Sequence, residues 1–137
     1  MKSERPILLV EDDRVDVMTV ERALKQVKIL NPLYIAGNGE EALEILNDAE
    51  HFTPCIILLD LNMPRMNGLE FLSIIKSHEQ LRKIPVIILT TSILEKDRME
   101  SFNLGIAGYM IKPVDYLQFV EVIGTIDLYW TLSQLPE

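Results

Sequence analysis

The 137-residue sequence predicts a single α/β domain built around a five-stranded parallel sheet. Three observations carry that prediction. Five short apolar runs alternate with longer segments of helical periodicity, the pattern of repeated βαβ units. Three of the runs, Ile7 to Val10, Ile56 to Leu59 and Val86 to Leu89, are unbroken in Ile, Leu and Val, as expected of strands covered by helices on both faces. The composition, 48% hydrophobic and 25% charged, is that of an ordinary globular chain and excludes disordered and fibrous classes.

The elements follow in order. The first strand is expected over Pro6 to Val10, and the helix after it presents Val17, Val20, Leu24 and Val27 at helical spacing, with Asp13 and Asp16 forming an N-terminal cap. Leu33 to Ala36 is the second strand. Asn38 with Glu41 three residues on opens a second helix carrying Ala42, Leu43, Ile45 and Leu46. The third strand spans Cys55 to Leu59. Met63-Pro64 and Asn67-Gly68 are turn chemistry, after which Leu69, Leu72 and Ile75 face the sheet from a third helix. Val86 to Leu89 is the fourth strand, and a helix from about Leu94 to Leu104 stops at Gly105. The fifth strand is Tyr109 to Ile111, followed by a helix that begins near Asp115 and carries Phe119, Val120, Ile123 and Ile126.

One domain is expected to fill residues 1–137, with about 127–137 as a C-terminal extension. The formal charge of −8 argues against nucleic acid and anionic membrane as partners. A single cysteine, Cys55, read as a small buried hydrophobe, excludes an internal disulfide and fits a reducing cytoplasm. The N-terminal apolar stretch is too short for a signal peptide or a membrane span. His51 and His78 stand apart from each other and from the acids, as surface or loop residues.

Strands of a parallel sheet point the same way, so the residues just after them gather on one rim, where ligands of this fold class bind. Here those residues are Glu11-Asp12-Asp13, Asp60, Thr90-Thr91-Ser92 and Lys112-Pro113. Taken singly, each has an ordinary explanation: Asp12 or Asp13 as a helix cap, Asp60 as a loop cap, Thr90 bonded to backbone, Lys112 in solvent. Together they do not. Carboxylates about 5 Å apart at an effective dielectric near 20 repel by about 3 kcal/mol per pair, so a cation is implied. Oxygen ligands without His or Cys suit a hard ion, Mg²⁺ or Mn²⁺, that also takes phosphate oxygens. Asp60, ending a buried apolar strand, is then the natural nucleophile toward phosphorus, with metal and ammonium neutralising the phosphoryl oxygens. Lys112-Pro113 also allows a cis bond that would aim the lysine inward.

The motifs Leu8-Leu9-Val10-Glu11-Asp12-Asp13, Leu58-Leu59-Asp60-Leu61-Asn62-Met63-Pro64 with Asn67-Gly68, Pro85 to Thr90, and Gly108-Tyr109-Met110-Ile111-Lys112-Pro113 resemble those of the receiver domain of two-component response regulators over nearly the whole chain. The resemblance implies the flavodoxin-like, doubly wound (βα)5 receiver fold with strand order 2-1-3-4-5. It implies that Asp60 takes a phosphoryl group from a phosphohistidine of a sensor histidine kinase, giving an aspartyl phosphate. Glu11, Asp12, Asp60 and the backbone carbonyl of Asn62 would hold Mg²⁺, Thr90 would bind the phosphate, Lys112 would contact it, and Tyr109 would turn inward with Thr90 as a switch pair. Thr91 departs from the family, which often has Ala or Gly there, and leaves the effect on dephosphorylation open.

The ending Ile126 to Trp130 with Leu135-Pro136 resembles the tail of the small regulators paired with bacterial phytochromes, which often form homodimers. Phe119, Tyr129, Trp130 and Leu132 are the interface candidates, with intramolecular packing of the tail as the alternative. The expected function is phosphorylation-dependent protein contact by a regulator without enzymatic turnover. Two other classes compete. A phosphatase using an Asp nucleophile requires a second acid two residues on, where this chain has Asn62, and a flavodoxin-like FMN carrier requires hydroxyls and glycine where it has Glu11-Asp12-Asp13.

Overall fold

A computed structural model of the chain describes residues 4–48 and 53–132, with the backbone alone for residue 116 and residues 126–132. Its elements are β1 (Ile7–Val10), α1 (Arg14–Gln26), β2 (Leu33–Ala36), α2 (Gly39–Asn47), β3 (Ile56–Leu59), α3 (Gly68–Lys76), a 3-10 turn (Leu81–Lys83), β4 (Val86–Thr90), α4 (Glu95–Asn103), β5 (Gly108–Ile111) and α5 (Tyr116–Leu132). The strands form one sheet in the order β2-β1-β3-β4-β5, every pair parallel. The predicted topology is the observed one.

β1, β3 and β4 are buried along their whole length, and each fully buried Leu, Ile or Val contributes about 1.5–3 kcal/mol relative to exposure. Because the side chains alternate, these strands feed two apolar layers. Leu8, Val10, Ile57, Leu59 and Ile88 meet α2 and α3 through Ala42, Leu46, Phe71, Leu72 and Ile75. Ile7, Leu9, Ile56, Leu58, Ile87 and Leu89 meet α1 and α5 through Val20, Leu24, Phe119 and Ile123. The edge strand β2 leaves Tyr34 and Ile35 exposed.

Phe119, expected at an interface, belongs instead to this second layer and is 2% exposed: the first turn of α5 lies against the sheet, and its ring fills the space there. The side chains of Tyr129, Trp130 and Leu132 lie outside the described residues, as does His51. The backbone of 127–132 continues α5 without a break. His78 is exposed, and its Nδ1 accepts the Gln80 and Leu81 N–H groups at 3.1 and 3.2 Å, capping the 3-10 turn. Cys55 is buried, 1% exposed.

Two helix caps, Asp13 and Asn38, form as the local chemistry predicts, and a third forms at Asn67, which the sequence marks only as turn chemistry. Asp13 Oδ1 accepts the Asp16 N–H at 3.0 Å, Asn38 Oδ1 accepts that of Glu41 at 3.0 Å, and Asn67 Oδ1 accepts that of Glu70 at 2.9 Å. Glu70 also reaches back to the Asn67 N–H, completing a capping box on α3. Glu41 does not do this; its carboxylate takes the Gly37 N–H. Gly68 is required by proximity, since a Cβ there would stand 2.4 Å from the carbonyl oxygen of Asp60. The start of α3 is thereby pressed onto the chain leaving β3.

Candidate functional site

Register places the polar residues. Val10 pairs with Leu59 and Thr90 with Ile111, so Glu11 and Asp60 leave adjacent strands side by side, and Lys112 follows β5 next to the end of β4. Carboxylate oxygens of Glu11, Asp12 and Asp60 all lie within 4.8 Å of one another. Glu11 and Asp60 are buried at 3% and 6% exposure, whereas Asp12 faces solvent. Thr90 is buried, and its Oγ1 accepts the Ser92 N–H at 3.2 Å and a hydrogen from Asn62 Nδ2 at 3.4 Å. The Asn62 backbone N–H donates to Asp60 Oδ1 at 3.3 Å.

Lys112 stands at the centre. Its Nζ donates to Glu11 Oε1, to Asp16 Oδ2 at 2.8 Å, and lies 3.5 Å from Asp60 Oδ2. The Lys112-Pro113 peptide is cis, as the sequence allowed. Burial alone would lower the lysine's pKa, but the hydrogen bonds it donates to Asp16 and Glu11, with the charges of Asp60 and Glu11, outweigh it and hold the ammonium above its ordinary range. Burial raises the Glu11 carboxyl from 4.5 to about 7, with the nearby Asp60 charge adding to the rise, while Lys112 and the Asp13 N–H oppose it.

Tyr109 donates its hydroxyl to the Ser92 carbonyl at 3.0 Å, tying β5 to the loop after β4. Burial raises its pKa, so the phenol remains a donor at neutral pH. Thr91 is exposed at the rim, and Asn62 Nδ2 also lies 3.5 Å from its hydroxyl.

The donor set fits a hard divalent cation. Three carboxylates within 4.8 Å of one another, with no His or Cys beside them, are oxygen donors of the kind such an ion takes, and Glu11, Asp12 and Asp60 would hold it. Burial is the main cause of the raised Glu11 carboxyl, and a cation beside it would favour its anionic form. Every residue expected at the rim is there. Asp16 was not foreseen as a partner of Lys112; the sequence showed it only as a cap residue of α1, and the contact joins positions 96 apart.

Comparison with known proteins agrees with this geometry. The chain is 35% identical over 128 residues to the response regulator Rcp1 of Synechocystis, covering 90% of this chain and 87% of that one. Among solved structures, the bacteriophytochrome response regulator RtBRR superposes with a TM-score of 0.82 at 40% identity, over 97% of this chain and 84% of that one. The phosphorylated cyanobacterial phytochrome response regulator RcpA gives 0.81 at 33% identity, over 98% and 100%. A Mn²⁺-bound form of Rcp1 gives 0.78 at 35%, over 97% and 99%. Residues 7–124 match the response regulator receiver domain, and with the strand order, the acidic rim and the Lys112 contacts in place, the chain belongs to that family.

Proposed function

We propose that this receiver domain is a phosphorylation switch in which Asp60 is the acceptor. The observation that carries the reading is the environment of one carboxylate: Asp60 ends a buried strand, 3.5 Å from the Lys112 ammonium and within 4.8 Å of the Glu11 and Asp12 oxygens. In the transfer, an Asp60 carboxylate oxygen forms the bond to phosphorus as the bond from phosphorus to the donor imidazole nitrogen breaks. The electron pair stays with that nitrogen, giving a free histidine and an aspartyl phosphate.

Glu11, Asp12 and Asp60, with the Asn62 carbonyl, would hold Mg²⁺ or Mn²⁺, which when bound would neutralise phosphoryl oxygens. Lys112 supplies a second positive charge to the same oxygens, and Thr90 supplies a hydroxyl once its contacts with Ser92 and Asn62 yield. Tyr109, held by the same loop through Ser92, moves with it, so that phosphorylation changes the surface formed by α4, β5 and α5. The domain assists its own modification and turns over no separate substrate.

The relatives named for phytochrome signalling support a sensor histidine kinase of that kind as the phosphodonor; a cytoplasmic setting, on the single cysteine, and a homodimer, on the apolar residues of the C-terminal stretch, belong to the same proposal. No helix among the described residues is long and apolar enough to cross a membrane. The test is Asp60→Asn, which keeps the shape and removes the nucleophile. With a phosphorylated kinase or acetyl phosphate as donor, the wild type is expected to gain one acid-stable, base-labile phosphoryl label and the variant none. Labelling of the variant at the wild-type rate would refute the assignment.

A further inference from the structure

Asp16 lies beside Lys112 at the rim of the pocket. Four hydrogen bonds close a ring: Lys112 Nζ donates to Glu11 Oε1 and to Asp16 Oδ2, the Asp13 N–H donates to Glu11 Oε2 at 3.2 Å, and the Asp16 N–H donates to Asp13 Oδ1 at 3.0 Å. Asp16 is thus fixed at its backbone by the α1 cap while its carboxylate holds the ammonium. Lys112 is 11% exposed and the Asp16 side chain 36% exposed, so the pair lies at the lip of the pocket, with Glu11 and Asp60 deeper.

Resting on the metal and acceptor reading above, we propose that Asp16 is a positioning residue that retains Lys112 when a divalent ion enters. In the metal-free protein one ammonium serves three carboxylates, Glu11, Asp16 and Asp60. A dication among Glu11, Asp12 and Asp60 repels that ammonium and takes over the charge of two of its partners. Asp16, outside the metal cluster, is the one partner the ion leaves to it. The lysine then shifts outward along a short arc and stays within reach of a phosphoryl group on Asp60. Without Asp16, the ammonium has no second position to occupy and competes with the ion for Glu11 and Asp60.

The test is a double-mutant cycle on Mn²⁺ binding, read by electron paramagnetic resonance of the free ion or by calorimetry, in Asp16→Asn, Lys112→Met and the double variant. Asparagine preserves the side-chain shape, and the α1 cap uses the Asp16 backbone, so the variant keeps its fold; its thermal melt checks this. Asp16→Asn is expected to weaken Mn²⁺ by about fivefold in the presence of Lys112 and by clearly less when Lys112 is Met. Equal weakening in both backgrounds would show that Asp16 acts only as a distant negative charge and would overturn the proposal, as would no weakening at all. Failure of the wild type itself to bind Mn²⁺ overturns the metal reading instead, so the two failures are distinguishable.

Discussion

α3 and α4 are both nine residues long and each follows a strand that delivers a key side chain, yet they are held to the molecule in different ways. α3 begins with a full capping box, buries Gly68, Phe71, Leu72 and Ile75, and starts in contact with the Asp60 carbonyl. α4 has Leu94 at its N-cap with no side-chain hydrogen bond, and its one buried residue is Ser101. Met99 and Phe102 on α4 are exposed, as are Ile93 and Leu94 just before it. The firm part of α4 is its end, where Ile106 N–H bonds to the Ser101 carbonyl and Gly105 N–H to that of Phe102, with Gly105 at φ +86, a Schellman close. The Asp60 carboxylate therefore sits on a fixed support, and the Thr90 side of the pocket opens into a lightly held one. A helix with little buried apolar surface opens at low free energy.

The sharpest way to break this contrast is a matched pair of truncations. Phe71→Ala on α3 is expected to cost about 3–5 kcal/mol in urea unfolding, whereas Phe102→Ala on α4 should change stability by no more than about 0.5 kcal/mol. Similar losses for the two would show that α4 is packed as firmly as α3. A smaller effect comes from repairing the weak end: Leu94→Ser gives α4 the missing cap and should add about 1 kcal/mol to its local stability, seen as slower amide exchange across residues 95–103. Unchanged exchange there would locate the looseness elsewhere.

A third test concerns the rim from which both helices start. Glu11 has its carboxyl raised from 4.5 to about 7 by burial. Between those values the native protein holds a proton that the unfolded chain has released, so stability falls as pH rises through that window. The decline is complete above about pH 7. Thermal melts of the metal-free protein should therefore show the wild type losing ground to Glu11→Gln from about pH 4.5 to 7, then running parallel. A difference that stays flat across the window would show that burial does not raise the Glu11 carboxyl.

What was legible in the sequence follows the same physics. β1, β3 and β4 are buried on both faces, so their unbroken apolar runs marked them within a residue, and the caps Asp13 and Asn38 announced their helices locally. The rim residues were readable because parallel strands must deliver their ends to one side. Phe71 went unremarked among the core positions of α3, although it is fully buried, and Phe119 was placed on a surface it does not occupy. Both errors concern which way a helix is rotated about its axis, which an apolar-rich helix states poorly. Asp16 carried no local sign of its ion pair, because the contact is made by the sheet and not by neighbouring sequence.

The pairing of Val10 with Leu59, and of Leu59 with Ile88, also fixes where this chain can change length. Removing one residue inside β3 would turn Asp60 to the opposite face of the sheet and leave Glu11 and Lys112 without it, however well the rest folded. Lengthening the connection before β3 at residues 53–54, away from the rim, would leave the alignment intact. Length variation that keeps Asp60 beside Glu11 and Lys112 should therefore collect at the end of the molecule opposite the rim and be absent from the strands themselves.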